Sequence, residues 1–276
     1  MSNLIFYCSG GLGNRLSPFL NIKNIFDYNI KLVWPKTMRL MCDFQDIFEN
    51  KNIGSLSFTE LDNLVDVENF HGSEGGLIAS EYEFKINSID SLLNMSKRSF
   101  PKPVHLFNIN NLSHQNTIVF FNDLIGHVDK ETVKENFFKL KPKKEIIDKI
   151  NDLQSYLEIN KDTVGIHARG TDFINEKLES YFPIIDEELR NGNNIFFCSD
   201  DPDWEKNIIV KYPMIKVRPQ KNNVYKSDIN SNYSCNVVTP LDATIDAYID
   251  MVLLSKSNFK HFNPKSSFAR LVNIIQ

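Results

Sequence analysis

Four short segments hold the residue types that do chemistry. The most specific is Gly165-Ile166-His167-Ala168-Arg169-Gly170-Thr171-Asp172-Phe173, with an imidazole, a guanidinium and a carboxylate close together. Alternation along a strand sets His167 and Arg169 on one side. An arginine fork grips a phosphate through two parallel hydrogen bonds. Asp172 can orient that fork or cap the next turn. For His167 alone a satisfied core histidine is the plainer reading. For the whole string beside Gly170, phosphate binding is the better account.

A second segment, Asn194-Ile195-Phe196-Phe197-Cys198-Ser199-Asp200-Asp201-Pro202, runs apolar and then ends in two acids. A carboxylate accepts two hydrogen bonds at once, so Asp200 or Asp201 can read a base edge or a ribose. The structural alternative is an N-cap on the following helix. Asp201-Pro202-Asp203 has the outline of an Asp-x-Asp metal motif, but the proline and the position at a helix start argue against metal binding. In the third segment, Gly10-Gly11-Leu12-Gly13-Asn14-Arg15-Leu16, the glycines permit a tight turn, and the helix that follows favours an anion at its start. A dinucleotide fingerprint needs glycine where Leu16 stands, and the Walker pattern is absent. A packing turn and a ligand loop that uses Gly11, Gly13, Asn14 and Arg15 both remain open. The fourth segment, Asn263-Pro264-Lys265-Ser266-Ser267-Phe268-Ala269-Arg270, opens a helix with two hydroxyls. That makes an anion site from hydroxyls, amides and the helix dipole, or a plain serine cap.

The elements that must position these residues alternate strand and helix. Leu4–Cys8 and Lys31–Trp34 read as strands around a helix from Arg15 to Tyr28, with Pro18 in its first turn. Thr117–Phe121 reads as a strand. The stretch from 37 to 116 shows little periodicity beyond the aromatic run Cys42–Phe48. Basic, proline-bearing Lys139–Lys144 marks a boundary, and a helix with Ile146, Ile147, Ile150, Leu153 and Leu157 on one face follows it. A second series then begins. Thr163–His167, Asn194–Cys198, Ile215–Val217 and Phe259–Phe262 read as strands. Phe182–Arg190, Trp204–Tyr212, Leu241–Ser255 and Ser267–Ile275 read as helices. Arg218–Thr239 reads as a long polar loop. The expected fold is α/β, with two Rossmann-like domains, residues 1–140 and 141–276, facing a central cleft. The four chemical segments then fall at strand ends, where open parallel sheets bind ligands.

Composition narrows the classes. The chain has 276 residues, 42% of them apolar and 21 of them Phe, enough for a sizeable core, and a formal charge of −4. A mildly acidic chain has no global attraction for nucleic acid or anionic lipid. Cys8, Cys42, Cys198 and Cys235 form no Cys-x-x-Cys pair, so neither a disulfide framework nor a zinc site is expected. No signal peptide, integral membrane segment or stem is expected, which points to a cytoplasmic protein.

In their order, the four segments resemble the fucosyltransferase superfamily, in particular its NodZ-like α-1,6 and α-1,2 branches. Gly10–Leu16 is similar to that family's Gly-Leu-Gly-Asn-Arg-Leu. His167–Asp172 is similar to its His-x-Arg-x-Thr/Gly-Asp, and Ser199-Asp200-Asp201 to its Thr/Ser-Asp-Asp. Asp250–Ser255 through Ser266-Ser267-Phe268 is similar to its C-terminal block. The resemblance implies a GT-B glycosyltransferase with GDP-fucose as donor, a glycan acceptor, inversion, and neither metal nor other cofactor. It implies that Arg169 stabilises the departing diphosphate, with Asp172 beside it as a catalytic residue. His167, Asp200 and Asp201 would contact the nucleotide, and Ser266, Ser267 and Phe268 would form the phosphate end of the donor site. Gly11, Gly13, Asn14 and Arg15 would line the cleft on the acceptor side. Gly170 departs from the pattern, because many relatives carry a second arginine there; part of the phosphate grip is then missing or supplied elsewhere, with Lys265 or Arg270 as candidate substitutes. The alternatives are the same fold with another GDP- or UDP-sugar, and a nucleotide- or carbohydrate-binding protein without catalysis. A nicotinamide dehydrogenase is disfavoured by Leu16. Asp43, Asp46, His71 and Glu74 are the candidates for a general base, with none preferred.

Overall fold

The computed structural model describes residues 3–8, 10–21, 24–34, 36, 40–56, 73–74, 77–78, 117–121, 129–170, 176–219, 221–222, 225–226 and 237–276. The chain divides into two compact units, Met1–Pro35 with Asp43–Lys141, and Lys36–Cys42 with Pro142–Gln276. The short piece 36–42 thus belongs with the second unit, where Met41 N–H donates to the Thr239 carbonyl at 3.0 Å.

In the first unit, strands Asn3–Tyr7 (β1), Asn29–Val33 (β2), Ile53–Ser55 (β3) and Thr117–Phe121 (β6) form a parallel sheet in the order β3-β2-β1-β6. Ser73–Glu74 (β4) and Leu77–Ile78 (β5) make a separate two-residue ladder. Helix Leu12–Leu20 (α1) has Gly11 as its N-cap and starts three residues before Arg15. A continuous helix to Tyr28 does not form: Asn24 turns to a left-handed φ of 56°, and Ile25–Asp27 makes a 3-10 turn. Asparagine tolerates that conformation better than other non-glycine residues. Helix Lys130–Lys139 (α2) is capped by Asp129, which accepts from the amides of Glu131 and Thr132. An aromatic cluster fills the unit. Phe44 stacks on Phe48 at 4.7 Å and meets Phe19 and Trp34 edge-on at 6.1 and 5.7 Å. The aromatic run Cys42–Phe48 therefore supplies core.

In the second unit, Val164–Ala168 (β7), Ile195–Ser199 (β8) and Asn258–Phe262 (β11) form a parallel sheet in the order β11-β7-β8. Every residue of β7 and β8 is buried, which is why both read as unbroken apolar runs. The remaining helices are Lys144–Tyr156 (α3), Phe182–Arg190 (α4), Pro202–Lys211 (α5), Leu241–Lys256 (α6) and Ser267–Ile275 (α7). The strand expected at Ile215–Val217 reduces to one bridge between Lys216 and Phe196. The polar loop after Arg218 contains a small ladder of Tyr225–Lys226 (β9) and Val237–Val238 (β10). Cys8, Cys42 and Cys198 are buried and form no disulfide among the described residues. No described helix is long and apolar enough to cross a membrane.

Candidate functional site

β7 and β8 run side by side with Ala168 opposite Ser199. The next residues, Arg169 and Asp200, therefore leave the sheet next to each other at its carboxyl edge. Asp200 Oδ1 accepts from the main-chain N–H of Gly170 at 2.7 Å, and its Oδ2 lies 3.7 Å from Arg169 Nε. Both side chains keep about a quarter of their surface exposed, 24% and 22%. A half-hydrated pair at that distance adds well under about 1 kcal/mol to stability. Its effect is to aim the guanidinium, whose charge stays near solvent.

The neighbouring acid does something else. Asp201 caps α5, accepting from Asp203 N–H at 2.9 Å, while its own N–H donates to Ser199 Oγ at 3.0 Å. Of the two readings open for the acidic pair, Asp201 takes the cap and Asp200 reaches across to Arg169 and Gly170, the residues just after β7. Gly170 sits between them. A Cβ there would lie 2.6 Å from Asp201 Cβ and 3.0 Å from the Trp204 ring. A side chain at 170 therefore meets Asp201 and crowds the Trp204 ring.

His167 is 4% exposed, and its ring stacks on Phe268 at 4.7 Å and 26°. Burial pushes the imidazole down to about 4, so the ring is neutral at neutral pH. Its Nδ1 has no hydrogen-bond partner among the described residues. The stack brings the end of β7 against α7, whose N-cap is the buried Ser266: its Oγ accepts from Ala269 N–H at 3.3 Å. Ser267 is the first residue of that helix, half-buried beside the cap. A third tie runs through Glu176. Its Oε1 accepts from the Tyr181 hydroxyl at 3.1 Å and from Asn263 Nδ2 at 2.9 Å, which joins the chain after β7 to the loop before Ser266. Thr171 and Asp172 lie outside the described residues.

The first unit's glycine segment is a turn built from its own parts. Gly10 has φ 81°, and a Cβ there would meet Asn14 Nδ2 at 2.8 Å. Arg15 is fully buried. Its Nε donates to the Gly10 carbonyl at 2.8 Å, and its guanidinium lies 5.2 Å from the Trp34 ring centre. Gly11 is open, with no heavy atom within 4 Å of an added Cβ, and Asn14 is half-buried. Among the general-base candidates, Asp46 accepts from Asp43 N–H at 2.7 Å within a 3-10 turn. His71 and the side chain of Glu74 lie outside the described residues.

No protein-family model matches the chain, and no curated protein matches it. Solved structures do. NodZ α-1,6-fucosyltransferase soaked with GDP-fucose is similar at TM-score 0.57 and 17% identity, over 99% of this chain and 92% of that one. The same enzyme co-crystallised with GDP gives 0.56 and 16%, over 99% and 91%, and fucosyltransferase NodZ from Bradyrhizobium gives 0.57 and 16%, over 99% and 92%. The chain has the fold of the fucosyltransferase NodZ.

Within this NodZ-type fold, sequence reasoning missed a buried ionic cluster below the end of β8. Arg218 donates from Nε to Asp250 Oδ1 at 2.8 Å and from Nη1 to Asp246 Oδ1 at 2.7 Å. Lys221 Nζ lies 2.5 Å from Asp250 Oδ2 and 3.0 Å from Glu205 Oε1. Burial alone would raise the Asp250 carboxyl, but Arg218 and Lys221 more than offset it and hold the group at about 2. A signal was present: Asp246 and Asp250 stand four apart among apolar residues of α6, and buried carboxylates demand cations. Linear spacing did not say which cations.

Proposed function

We propose that this protein is a glycosyltransferase that moves fucose from GDP-fucose to a glycan hydroxyl, with inversion and without a metal. One observation carries the reading: Arg169 is aimed by Asp200 at the carboxyl edge of β7 and β8, within the fold of an enzyme whose solved structures include GDP and GDP-fucose forms. In this reading residues 1–140 serve the acceptor and residues 141–276 bind the donor.

In that reading the acceptor oxygen attacks the sugar's anomeric carbon from the face opposite GDP. The bond to the diphosphate oxygen breaks, its electron pair leaves with GDP, and the acceptor's proton passes to a base or to water. Arg169 stabilises the charge that grows on the leaving diphosphate, an effect worth about 3–4 kcal/mol in a prepared site. Asp172 steadies that arginine. The neutral His167 offers an unused ring nitrogen to the nucleotide, and Ser267 with the first amides of α7 holds phosphate oxygens. Asp201 caps a helix, and Asp203 pairs with Lys206 at 2.9 Å, so the Asp-x-Asp run has other work than a metal; this supports the metal-free reading. The buried cysteines, which form no disulfide among the described residues, support a cytoplasmic setting.

The test is thermal stabilisation by GDP, UDP, GDP-fucose, GDP-mannose and UDP-sugars, without metal and then with Mn²⁺ or Mg²⁺. A ligand at 100 times its Kd stabilises by about 2.7 kcal/mol. A metal-independent shift with GDP compounds supports the proposal. A shift with UDP compounds alone replaces the donor and keeps the fold's chemistry. Binding of GDP-fucose with no transfer to any glycan acceptor leaves a binding protein, and no shift with any nucleotide removes the proposal.

A further inference from the structure

β8 lies at the outer edge of its sheet, and Lys216 is the only described residue that extends the ladder beyond it. Lys216 N–H donates to the Ile195 carbonyl at 2.9 Å, and Phe197 N–H donates to the Lys216 carbonyl at 2.9 Å. On that edge the next outward-facing residue is Ser199, two further on. There the chain has turned away, and two side chains stand in for a strand. Glu205 Oε1 accepts from Ser199 N–H at 2.8 Å. Lys221 Nζ donates to the Ser199 carbonyl. The two groups also bind each other at 3.0 Å.

We infer that Lys221 and Glu205 are positioning residues for Asp200, replacing the missing strand at Ser199 so that Asp200 and, through it, Arg169 are held in the reactive arrangement; this rests on the transferase reading above. A cluster kept only for stability has a weak rationale, because buried ion pairs commonly return less than their desolvation costs. What favours positioning is where the pair is attached. It grips both main-chain groups of the residue immediately before Asp200, and Asp200 in turn holds Gly170 N–H at 2.7 Å. The rest of the cluster keeps the pair in place from α6. Charges balance: Arg218, Lys221 and Lys149 face Glu205, Asp246 and Asp250. Removing Lys221 and Glu205 together therefore leaves two cations facing two carboxylates.

The experiment compares the parent with K221M/E205L, K221Q/E205Q and R169A. For K221M/E205L, the expectation is a folded protein in which the Gly170 amide proton shift has moved, turnover of GDP-fucose is lower by about a hundredfold, and the donor KM changes less than kcat. The K221Q/E205Q pair, whose amides can still donate to and accept from Ser199 without charge, restores both readings. An unchanged Gly170 shift and turnover in K221M/E205L overturn the inference, whatever the melting temperature does. Should that variant not fold, hydrogen exchange in the parent decides: a Ser199 amide protected like the core supports the clamp, and one that exchanges like a frayed strand end overturns it. If R169A also keeps full turnover, the transferase reading itself falls. If only R169A loses turnover, the site stands and the clamp does not.

Discussion

Each unit carries an arginine beyond a central parallel strand, Arg15 inside the helix that follows β1 and Arg169 directly after β7, and the two fare differently. After β1, Arg15 is fully buried, bonded to the Gly10 carbonyl and laid against Trp34. After β7, Arg169 keeps 24% of its side-chain surface and shares a loose 3.7 Å contact with Asp200. The first guanidinium completes a turn; the second presents charge at a sheet edge. The residue type is the same; the surrounding chain covers the first group and leaves the second partly open.

The sharpest test of that contrast substitutes each arginine by alanine. Arg169→Ala is expected to lower turnover by about 100-fold or more, with melting unchanged. Arg15→Ala is expected to open a cavity under Trp34 and cost about 2–4 kcal/mol of stability, read by denaturant unfolding. Equal effects of both on turnover, with both proteins equally stable, would erase the distinction.

Gly170→Arg puts a second guanidinium next to Arg169. Because a Cβ there meets Asp201 and Trp204 at 2.6 and 3.0 Å, it is expected to cost about 1–3 kcal/mol and to lower activity. Adding Trp204→Ala should recover part of the stability; a gain in both properties from Gly170→Arg alone would show that the place is not filled.

His167 adds a pH dependence. Burial lowers its folded value to about 4 from 6.5, so the unfolded chain binds the extra proton first. Its contribution is complete above about 6.5 and is lost as pH falls towards 4, with a slope of at most about 1.4 kcal/mol per pH unit. Unfolding titrations of His167→Gln should lack that slope. The smallest effect separates the two serines. Ser266→Ala removes a helix cap and should cost about 1 kcal/mol. Ser267→Ala should leave melting alone and weaken GDP binding, as calorimetry would show.

Much of the second unit was legible because its cues are local. β7 and β8 are short apolar runs ended by polar residues, and Pro202 and Ser266 mark helix starts within a residue or two. The first unit was harder. Its helix was read through Asn24, whose left-handed turn carries no strong punctuation in the sequence. In the second unit, Ile215–Val217 looked like a strand because three residues cannot show how many partners they will find. Among the site residues, His167, Arg169 and Asp200 were legible as strand-end groups; Trp204, Glu205, Arg218 and Lys221 were not.

By itself, the sequence determined the α/β alternation, the strand ends that carry the polar groups, and the presence of one cap within each of the Asp200-Asp201 and Ser266-Ser267 pairs. Tertiary structure decided which acid caps and which reaches its neighbour, that Trp204 closes the space beside Gly170, and that Arg218 finds Asp250 across 32 residues. The reason is range. Periodicity and capping act over a few residues of chain, whereas burial and ion pairing depend on where distant segments return.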